Sequence, residues 1–141
     1  DAATGRLVST TKPRPLLRAG GDVRITGLRI HGDEFEYFEP SERVPHADEP
    51  IYEVGASCGV IVEGDGVRLD CLEVSGWTFA GISVQRTGRT DTSTHVHHVD
   101  LVDNPAGSLG YGIAVREGVP LVEHAYLDNN RHSVAGSGWE N

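Results

Sequence analysis

Apolar and polar residues alternate in a short pattern that recurs along the chain. Its first part is a glycine followed by Val or Ile, any residue and Val, and it occurs at 59–62, 81–84 and 112–115. Its second part has apolar residues at its first, fourth and sixth positions, and it occurs at 25–30, 69–74, 96–101 and 122–127. Short alternating segments predict β-strands. Because so short a unit cannot bury its own apolar face, the copies are expected to stack on one another.

The spacing of the copies divides the chain into units at 59–80, 81–111 and 112–133, and a fourth unit begins at Val134. Each unit is predicted to contain three short strands, with a bend between the second and the third. The fold class predicted from this pattern is all-β, with about four stacked units whose equivalent strands pair in parallel. Equivalent residues in neighbouring units are then expected to form columns, spaced by about 4.8 Å.

Two segments do not follow the pattern. Residues 1–22 are predicted to be an irregular or capping segment, because their prolines exclude a helix, and Leu16 and Leu17 are expected to join the core. Residues 33–55 form a long acidic stretch that contains several aromatic side chains. A connection of this length is usually functional or disordered, and we expect it to be an insertion loop over one flank of a stacked domain at 23–141.

Composition narrows the possible partners. The 141 residues include 18 Gly and no Met, which suits many short strands joined by tight turns. With 21 acidic against 12 basic residues, the formal net charge is −9, which disfavours binding to nucleic acid or to an anionic membrane surface. No apolar run approaches the roughly 20 residues of a membrane helix, so no membrane insertion is expected. Cys58 and Cys71 are predicted to lie a strand apart, which favours two free thiols over a disulfide.

The repeated units resemble the rungs of the pectate-lyase-like superfamily of right-handed parallel β-helices, over residues 20–136. The segment 128–133, Asp-Asn-Asn-Arg-His-Ser, is similar to an Asn-Arg-His segment of uncharacterised secreted β-helix repeat proteins. The resemblance implies a right-handed parallel β-helix (a solenoid) of about four rungs with three short strands per rung, located outside the cell or at its surface. The superfamily includes polysaccharide lyases, glycoside hydrolases, tailspikes, adhesins and surface-layer proteins, so it does not determine the function. Since a short stack exposes strand edges, another chain or a second copy is expected to cover an open end.

Three columns contain candidate functional residues, and the first lies at the bend between the second and third strands. His98 and His124 align there with Cys71, and a neighbouring column contains Asp70, His97 and Glu123. Histidine, cysteine and carboxylate are the side chains that bind zinc and similar metals. One hypothesis is a divalent cation, such as calcium or zinc, held by His98, His124 and Asp70. The alternative is a solvated bend that tolerates polar residues.

The second candidate is the outward side of the first strand. Glu63, Gln85 and Arg116 are predicted to form a polar ladder that binds substrate, and Arg116 suits bidentate contact with a sugar carboxylate. The small side chains of Ser83 and Ala114 are expected to leave room for a flat ligand. The alternative is the ordinary polar surface of a sheet.

The third candidate is the turn that leads from the third strand into the next unit. His132 is a candidate acid or base, Arg131 a candidate for stabilising negative charge, and Tyr111, one rung below, a candidate for binding or proton donation. Trp77, which aligns with Asn104 and Asn130, is assigned to substrate binding. The alternative is a hydrogen-bonded ladder of turn residues.

Two functional hypotheses follow from these candidates. The first is an extracellular protein that binds or cleaves a polysaccharide or glycan. A lyase is favoured over a hydrolase, since hydrolysis requires two carboxylates and only Glu63 is expected to face the groove. The second is a non-catalytic structural, adhesive or surface-assembly module. The sequence contains no nucleophile elbow, phosphate-binding loop or Cys-pair zinc motif.

Overall fold

The computed structural model describes residues 14–32, 57–85, 93–104 and 110–136, and all regular structure in these ranges is β. The predicted insertion loop at 33–55 and the first 13 residues lie outside the described residues. The strands are β1 Arg14–Ala19, β2 Arg24–Thr26, β3 Arg29–His31, β4 Ser57–Val62, β5 Arg68–Ser75, β6 Ala80–Val84, β7 His95–Val102, β8 Tyr111–Val115, β9 Leu121–Asp128 and β10 His132–Gly136.

The strands form two sheets in which every neighbouring pair is parallel. The first sheet has the order β1-β4-β6-β8-β10, and the second has the order β2-β5-β7-β9, with β3 also pairing with β5. From β4 onward the chain alternates between the two sheets, so each strand pairs with the equivalent strand of the next unit. The predicted all-β class and the parallel pairing of equivalent strands are confirmed.

The register is the one that the repeat predicts. In the first sheet Val60 pairs with Ile82 and Ile82 with Ile113. In the second sheet Leu69 pairs with Val96, which in turn pairs with Val122. A slip of one residue would turn each apolar side chain to the opposite face, so burial of one face fixes this alignment.

The core lies between the two sheets. Val60, Ile82 and Ile113 are all 0 % exposed, and they pack with the apolar side chains of β5 and β7. We call a set of residues that are paired in register across one sheet a file. Val134, in β10, occupies the next position of the same file and is 50 % exposed. The core is therefore closed at its middle units, whereas Val134, in the last described strand, is half exposed.

A left-handed residue bends each long strand of the second sheet. The φ angles are 52° at Cys71, 51° at His98 and 49° at His124, and Gly27 has a φ of 71° at the equivalent position. These are the bends that the sequence predicts. In the first copy the bend separates two strands, β2 and β3. In the later copies the residue directly after the bend is paired again, as Leu72 is with Val99, so the strand is continuous. The predicted three strands per unit are thus two in the later copies.

Close packing requires the glycine of two first-sheet patterns, Gly59 and Gly112. A Cβ atom on Gly59 would lie 2.7 Å from the carbonyl oxygen of Gly81 and 2.8 Å from Cγ1 of Val74. A Cβ atom on Gly112 would lie 2.7 Å from Cδ2 of Leu127. Strands of the first sheet therefore begin directly against side chains of the second sheet.

Residues 1–22 were predicted to be an irregular or capping segment, and the irregular alternative does not hold for residues 14–19. Residues 14–19 form β1, which pairs with β4 at the edge of the first sheet. Proline lacks an N–H donor but is tolerated in an edge strand, which explains how Pro15 is accommodated. Leu17 packs against the core as expected, whereas Leu16 is exposed.

Candidate functional site

Tyr111 and His132 form a stacked pair on the outer side of the first sheet. They begin β8 and β10 and are partners in the parallel register. Their ring centroids are 5.5 Å apart and their planes differ by 18°. Phe79 meets the Tyr111 ring edge to face, with centroids 5.8 Å apart. His132 is exposed and Tyr111 is partly exposed, so the pair offers an aromatic surface to solvent.

Arg131 immediately precedes His132 and is also exposed. The three residues predicted to be catalytic thus lie within two neighbouring units of one sheet, two of them in contact. The parallel pairing of β8 with β10 brings Tyr111 and His132 together, because strands of consecutive units begin at the same edge. We call Tyr111, Arg131 and His132 the aromatic–arginine site.

The predicted polar ladder lies at the opposite ends of the same strands. The backbone N–H of Gln85 donates to the Val62 carbonyl at 2.7 Å, and that of Arg116 donates to the Val84 carbonyl at 2.9 Å, so these positions do align. Arg116 follows Tyr111 by five residues, which corresponds to about 16 Å along an extended strand. The ladder and the aromatic–arginine site are therefore two separate places on the sheet.

The side chains of Glu63 and Gln85 contact other residues of the protein. Glu63 forms an ion pair with Arg18 of β1. Nε2 of Gln85 donates to Oγ of Ser83 at 3.1 Å. Arg116 is exposed at the end of β8. Any ligand of Glu63 or Gln85 would have to compete with these contacts.

The expected groove between the ladder and the aromatic pair is not open. Ser83 and Ala114 were predicted to leave room for a flat ligand, but both are buried, as is Ile61 in the same file. Ile61 and Ala114 belong to a second apolar cluster, on the outer side of the first sheet, that also includes Phe79 and Tyr111. Alternation correctly predicts which side of the sheet these residues face, but it does not determine what covers them.

Trp77 was predicted to bind substrate, and the structure corrects this assignment. Its side chain lies in the core and only 7 % of the residue is exposed. The indole N–H donates to the carbonyl oxygen of Ile30 at 3.3 Å, and the backbone N–H donates to Oδ1 of Asn104 at 3.0 Å. A large apolar side chain with its N–H satisfied is typical of a core residue.

The asparagines that align with Trp77 form the predicted hydrogen-bonded ladder. Nδ2 of Asn104 donates to Oδ1 of Asn130 at 2.7 Å and to the Val102 carbonyl at 3.1 Å. The left-handed backbone lies one residue earlier, at Asp103 and Asn129, with φ angles of 53° and 48°. The side chains therefore link consecutive turns, while their neighbours make the bend.

Four histidines gather on the surface of the second sheet. The ring centroids are 4.4 Å apart for His95 and His97, 5.2 Å for His97 and His98, and 4.8 Å for His98 and His124. A nitrogen of His95 lies 2.8 Å from Oε2 of Glu123. The repeat predicted His98 and His124 in one column, but His95 was not among the predicted site residues. His95 lies two positions before His97 on a predicted strand, and this spacing places both side chains on one face, so the sequence could have revealed it.

Asp70 is buried beside this cluster, and its carboxylate forms an ion pair with Arg24. Nε of Arg24 lies 3.0 Å from both carboxylate oxygens, and Nε2 of His97 lies 4.0 Å from Oδ2. The hydrogen bonds from Arg24 lower the pKa of Asp70 to about 2. Among residues 14–32, 57–85, 93–104 and 110–136, no group of three or more His, Cys, Asp or Glu side chains is arranged to hold a metal ion. The predicted set of His98, His124 and Asp70 is therefore not assembled.

The Arg24–Asp70 pair predicts a specific dependence of stability on pH. The pKa of Asp70 is lower in the folded protein than its ordinary value of 3.8. The ionised carboxylate therefore stabilises the fold above pH 3.8, and this contribution is lost as the pH falls towards 2. Asp70→Asn should lower the melting temperature at pH 7, and its difference from the wild type should shrink between pH 3.8 and 2.

Thermal unfolding followed by circular dichroism across this pH range tests the prediction. Glu73→Gln is the matched control, because Glu73 forms an exposed ion pair with Arg29, whose side chain is 85 % exposed. Exposed pairs of this kind contribute little. A difference between Asp70→Asn and the wild type that stays constant down to pH 2 would contradict the assignment.

Both cysteines are free, as predicted. Cys58 is buried on the outer side of the first sheet, and burial raises the pKa of its thiol. Cys71 is exposed at the bend of β5. The two thiols lie on different sheets, which is why they do not pair.

No family model matches the chain, and comparisons with curated proteins and with solved structures find no similar protein. The part of the chain that the structure describes contains no helix long and apolar enough to cross a membrane. Functional inference therefore depends on the geometry of the described side chains.

Proposed function

We propose that the chain folds as a right-handed parallel β-helix and binds an acidic glycan outside the cell or at its surface. Three features support the β-helix: the chain alternates between two sheets, all pairings are parallel, and equivalent residues form files. Crossovers between parallel strands of one sheet are right-handed in about 98% of cases, which supports the handedness.

The aromatic–arginine site carries the proposal of glycan binding. A stacked Tyr111–His132 pair presents ring surface on which the apolar face of a sugar can pack. Arg131 beside it provides a planar cation that suits the carboxylate of a uronic acid. An aromatic surface next to a guanidinium favours an acidic sugar over a neutral one.

The overall negative charge opposes this ligand only at long range. The formal net charge of the chain is −9. At physiological ionic strength, interactions beyond about 8 Å are largely screened. A sugar carboxylate in contact with Arg131 is therefore influenced more by this guanidinium than by the distant acidic residues.

Cleavage by a lyase mechanism is a second step that the same site suits. A base removes the proton at C5 of a uronic acid, the bond between C4 and the bridging oxygen breaks, and a C4=C5 double bond forms while the leaving oxygen gains a proton. His132 or Tyr111 would exchange these protons, and Arg131 would neutralise the sugar carboxylate. Hydrolysis by two carboxylates is less well supported, since Glu63 lies at the other end of the sheet and pairs with Arg18.

Binding of polygalacturonate to the full chain, measured by titration calorimetry, tests the proposal. Arg131→Ala should weaken binding about tenfold or more, because a hydrogen bond between charged groups contributes about 1.5–3 kcal/mol. Arg29→Ala is the matched control, an exposed arginine on the second sheet. Absorbance of an unsaturated product, measured in parallel, tests cleavage separately from binding.

Equal losses in Arg131→Ala and Arg29→Ala would show that any binding is general attraction to positive charge and would exclude the site. Failure of the wild-type protein to bind acidic polymers would exclude the acidic-glycan function. His132→Ala provides a second test that does not change the arginines. It should reduce binding while leaving the melting temperature near that of the wild type, since His132 is exposed.

A second candidate function, assembly into a longer stack, is favoured by exposed apolar side chains on the last described strands. Val134 is half exposed although its partners in the same file are fully buried. Tyr126 and Leu121 of β9 are also exposed. Among the described strands, β10 pairs on one side only. We propose that a second copy adds a parallel strand at this edge, which would bury the open end of the core.

A further inference from the structure

We infer that His97 and His98 form a binding site for a divalent transition metal on the second sheet. Nδ1 of His97 and Nδ1 of His98 are 2.9 Å apart. In the metal-free protein one of these nitrogens donates a proton to the other, and a metal ion would replace this shared proton. The site is independent of the aromatic–arginine site, which lies on the first sheet.

The left-handed bend explains how two consecutive side chains converge. In a regular strand, successive residues point to opposite faces. His98 has a φ of 51°, which interrupts this alternation within β7. His97 still pairs with Asp70 and Glu123 in the register of the sheet, while His98 lies in the bend. Both rings can therefore meet on the same side of the strand.

The two nitrogens are close enough to bind one metal ion. With metal–nitrogen bonds of about 2.0–2.1 Å, ligands at 90° to each other are about 2.8–3.0 Å apart, whereas tetrahedral ligands are about 3.3–3.4 Å apart. The 2.9 Å between the nitrogens is the length of their hydrogen bond, so the 90° arrangement requires the smaller change in their separation. Square-planar or tetragonal nitrogen coordination is typical of Cu(II) and Ni(II), and Cu(II) has the highest affinity for a given site. The site is therefore expected to prefer Cu(II) over Zn(II).

Asp70 and His124 lie close to these two ligands. Nε2 of His97 is 4.0 Å from Oδ2 of Asp70, which is beyond hydrogen-bond distance, and the Asp70 carboxylate is bound by Arg24. The His98 and His124 rings are stacked, with planes 27° apart. His124 therefore packs against the ring of His98. Water would fill the remaining coordination positions.

Titration of the full chain with Cu(II) tests the inference. We expect one ion per chain and an electron paramagnetic resonance spectrum with hyperfine splitting from two nitrogens. His97→Asn and His98→Asn should each weaken binding at least tenfold. Asn tolerates left-handed backbone, so His98→Asn is compatible with the bend. His31→Asn is the control, since His31 is an exposed histidine on the same sheet whose ring nitrogen contacts Ser75. It should leave the affinity unchanged.

Two results would overturn the site. One is equal Cu(II) affinity in the wild type, His97→Asn and His98→Asn. The other is loss of binding in Cys71→Ser with full binding in both histidine variants, which would assign the copper to the exposed thiol. Circular dichroism of each variant shows that a loss of binding is not a loss of fold. A tighter complex with Zn(II) than with Cu(II) would overturn the predicted geometry.

Discussion

Asn104→Ala is expected to lower the free energy of unfolding by about 2–5 kcal/mol. Asn104 is fully buried, and its side chain accepts from the Trp77 backbone N–H and donates to Asn130 and Val102. Alanine removes all three hydrogen bonds and leaves the Trp77 N–H in the core without its partner. The cost of an unsatisfied buried donor adds to the loss of the bonds themselves. Urea unfolding followed by circular dichroism measures the change.

Asn129→Gly is the matched control for this experiment. Asn129 precedes Asn130, is exposed and donates to Oδ1 of Asp103 at 2.6 Å. Its φ of 48° is one that glycine adopts readily, so the substitution removes a side-chain hydrogen bond without straining the backbone. We expect a change within about 0.5 kcal/mol. Similar losses in the two variants would show that the buried ladder does not link the turns as described.

The register of the fold could be predicted from sequence because each position in the repeat has a strict physical requirement. Val60, Ile82 and Ile113 face a closed core, where a slip of one residue would expose every one of them. Gly59 lies in its strand where a Cβ atom would clash with Val74. These requirements recur in each unit, so the copies of the pattern, each weak by itself, together predict the register strongly.

The candidate site was harder to predict, because alignment places a residue on a column without determining its surroundings. Trp77 aligned with two turn asparagines, but its greater apolar surface is accommodated inside the core. Ser83 faces outward as its position in the strand requires, yet it is buried. Asp70 was grouped with the histidines, while its strongest partner, Arg24, lies in the preceding unit.

Contacts between rings on paired strands of one sheet were easier to predict from the sequence than the surroundings of a single residue. The alignment of Tyr111 with His132 correctly indicated neighbours one unit apart, because parallel pairing places equivalent residues side by side. The convergence of His97 and His98 could not be read from alternation, which places consecutive residues on opposite faces. It depends on the left-handed φ at His98, and among the four aligned bend positions only Gly27 is a glycine that would indicate this conformation.

Ile82→Ala is expected to lower the free energy of unfolding by about 2–5 kcal/mol, the usual cost of truncating a buried Ile side chain. Ile82 is fully buried in the central file of the first sheet, between Val60 and Ile113. The cavity would be surrounded on both sides by paired strands, which limits how far the structure can relax to fill it. Urea unfolding at one protein concentration measures the loss.

Val134→Ala is the control in the same file, and it also tests assembly. In a single copy, half of Val134 is exposed, so its truncation should cost only about 0.5 kcal/mol. If a second copy covers β10, Val134 becomes a core residue of the assembly and the same substitution becomes costly. The melting temperature of the wild type should then rise with protein concentration, since association stabilises the folded state by mass action.

Comparing the two variants over a hundredfold range of protein concentration separates these cases. Stacking predicts that the cost of Val134→Ala approaches that of Ile82→Ala as the concentration rises. A small cost at every concentration, with a constant melting temperature, would rule out a second copy at this edge. The same result would leave the parallel core intact, because Ile82→Ala tests packing between β4, β6 and β8, which a single copy already contains.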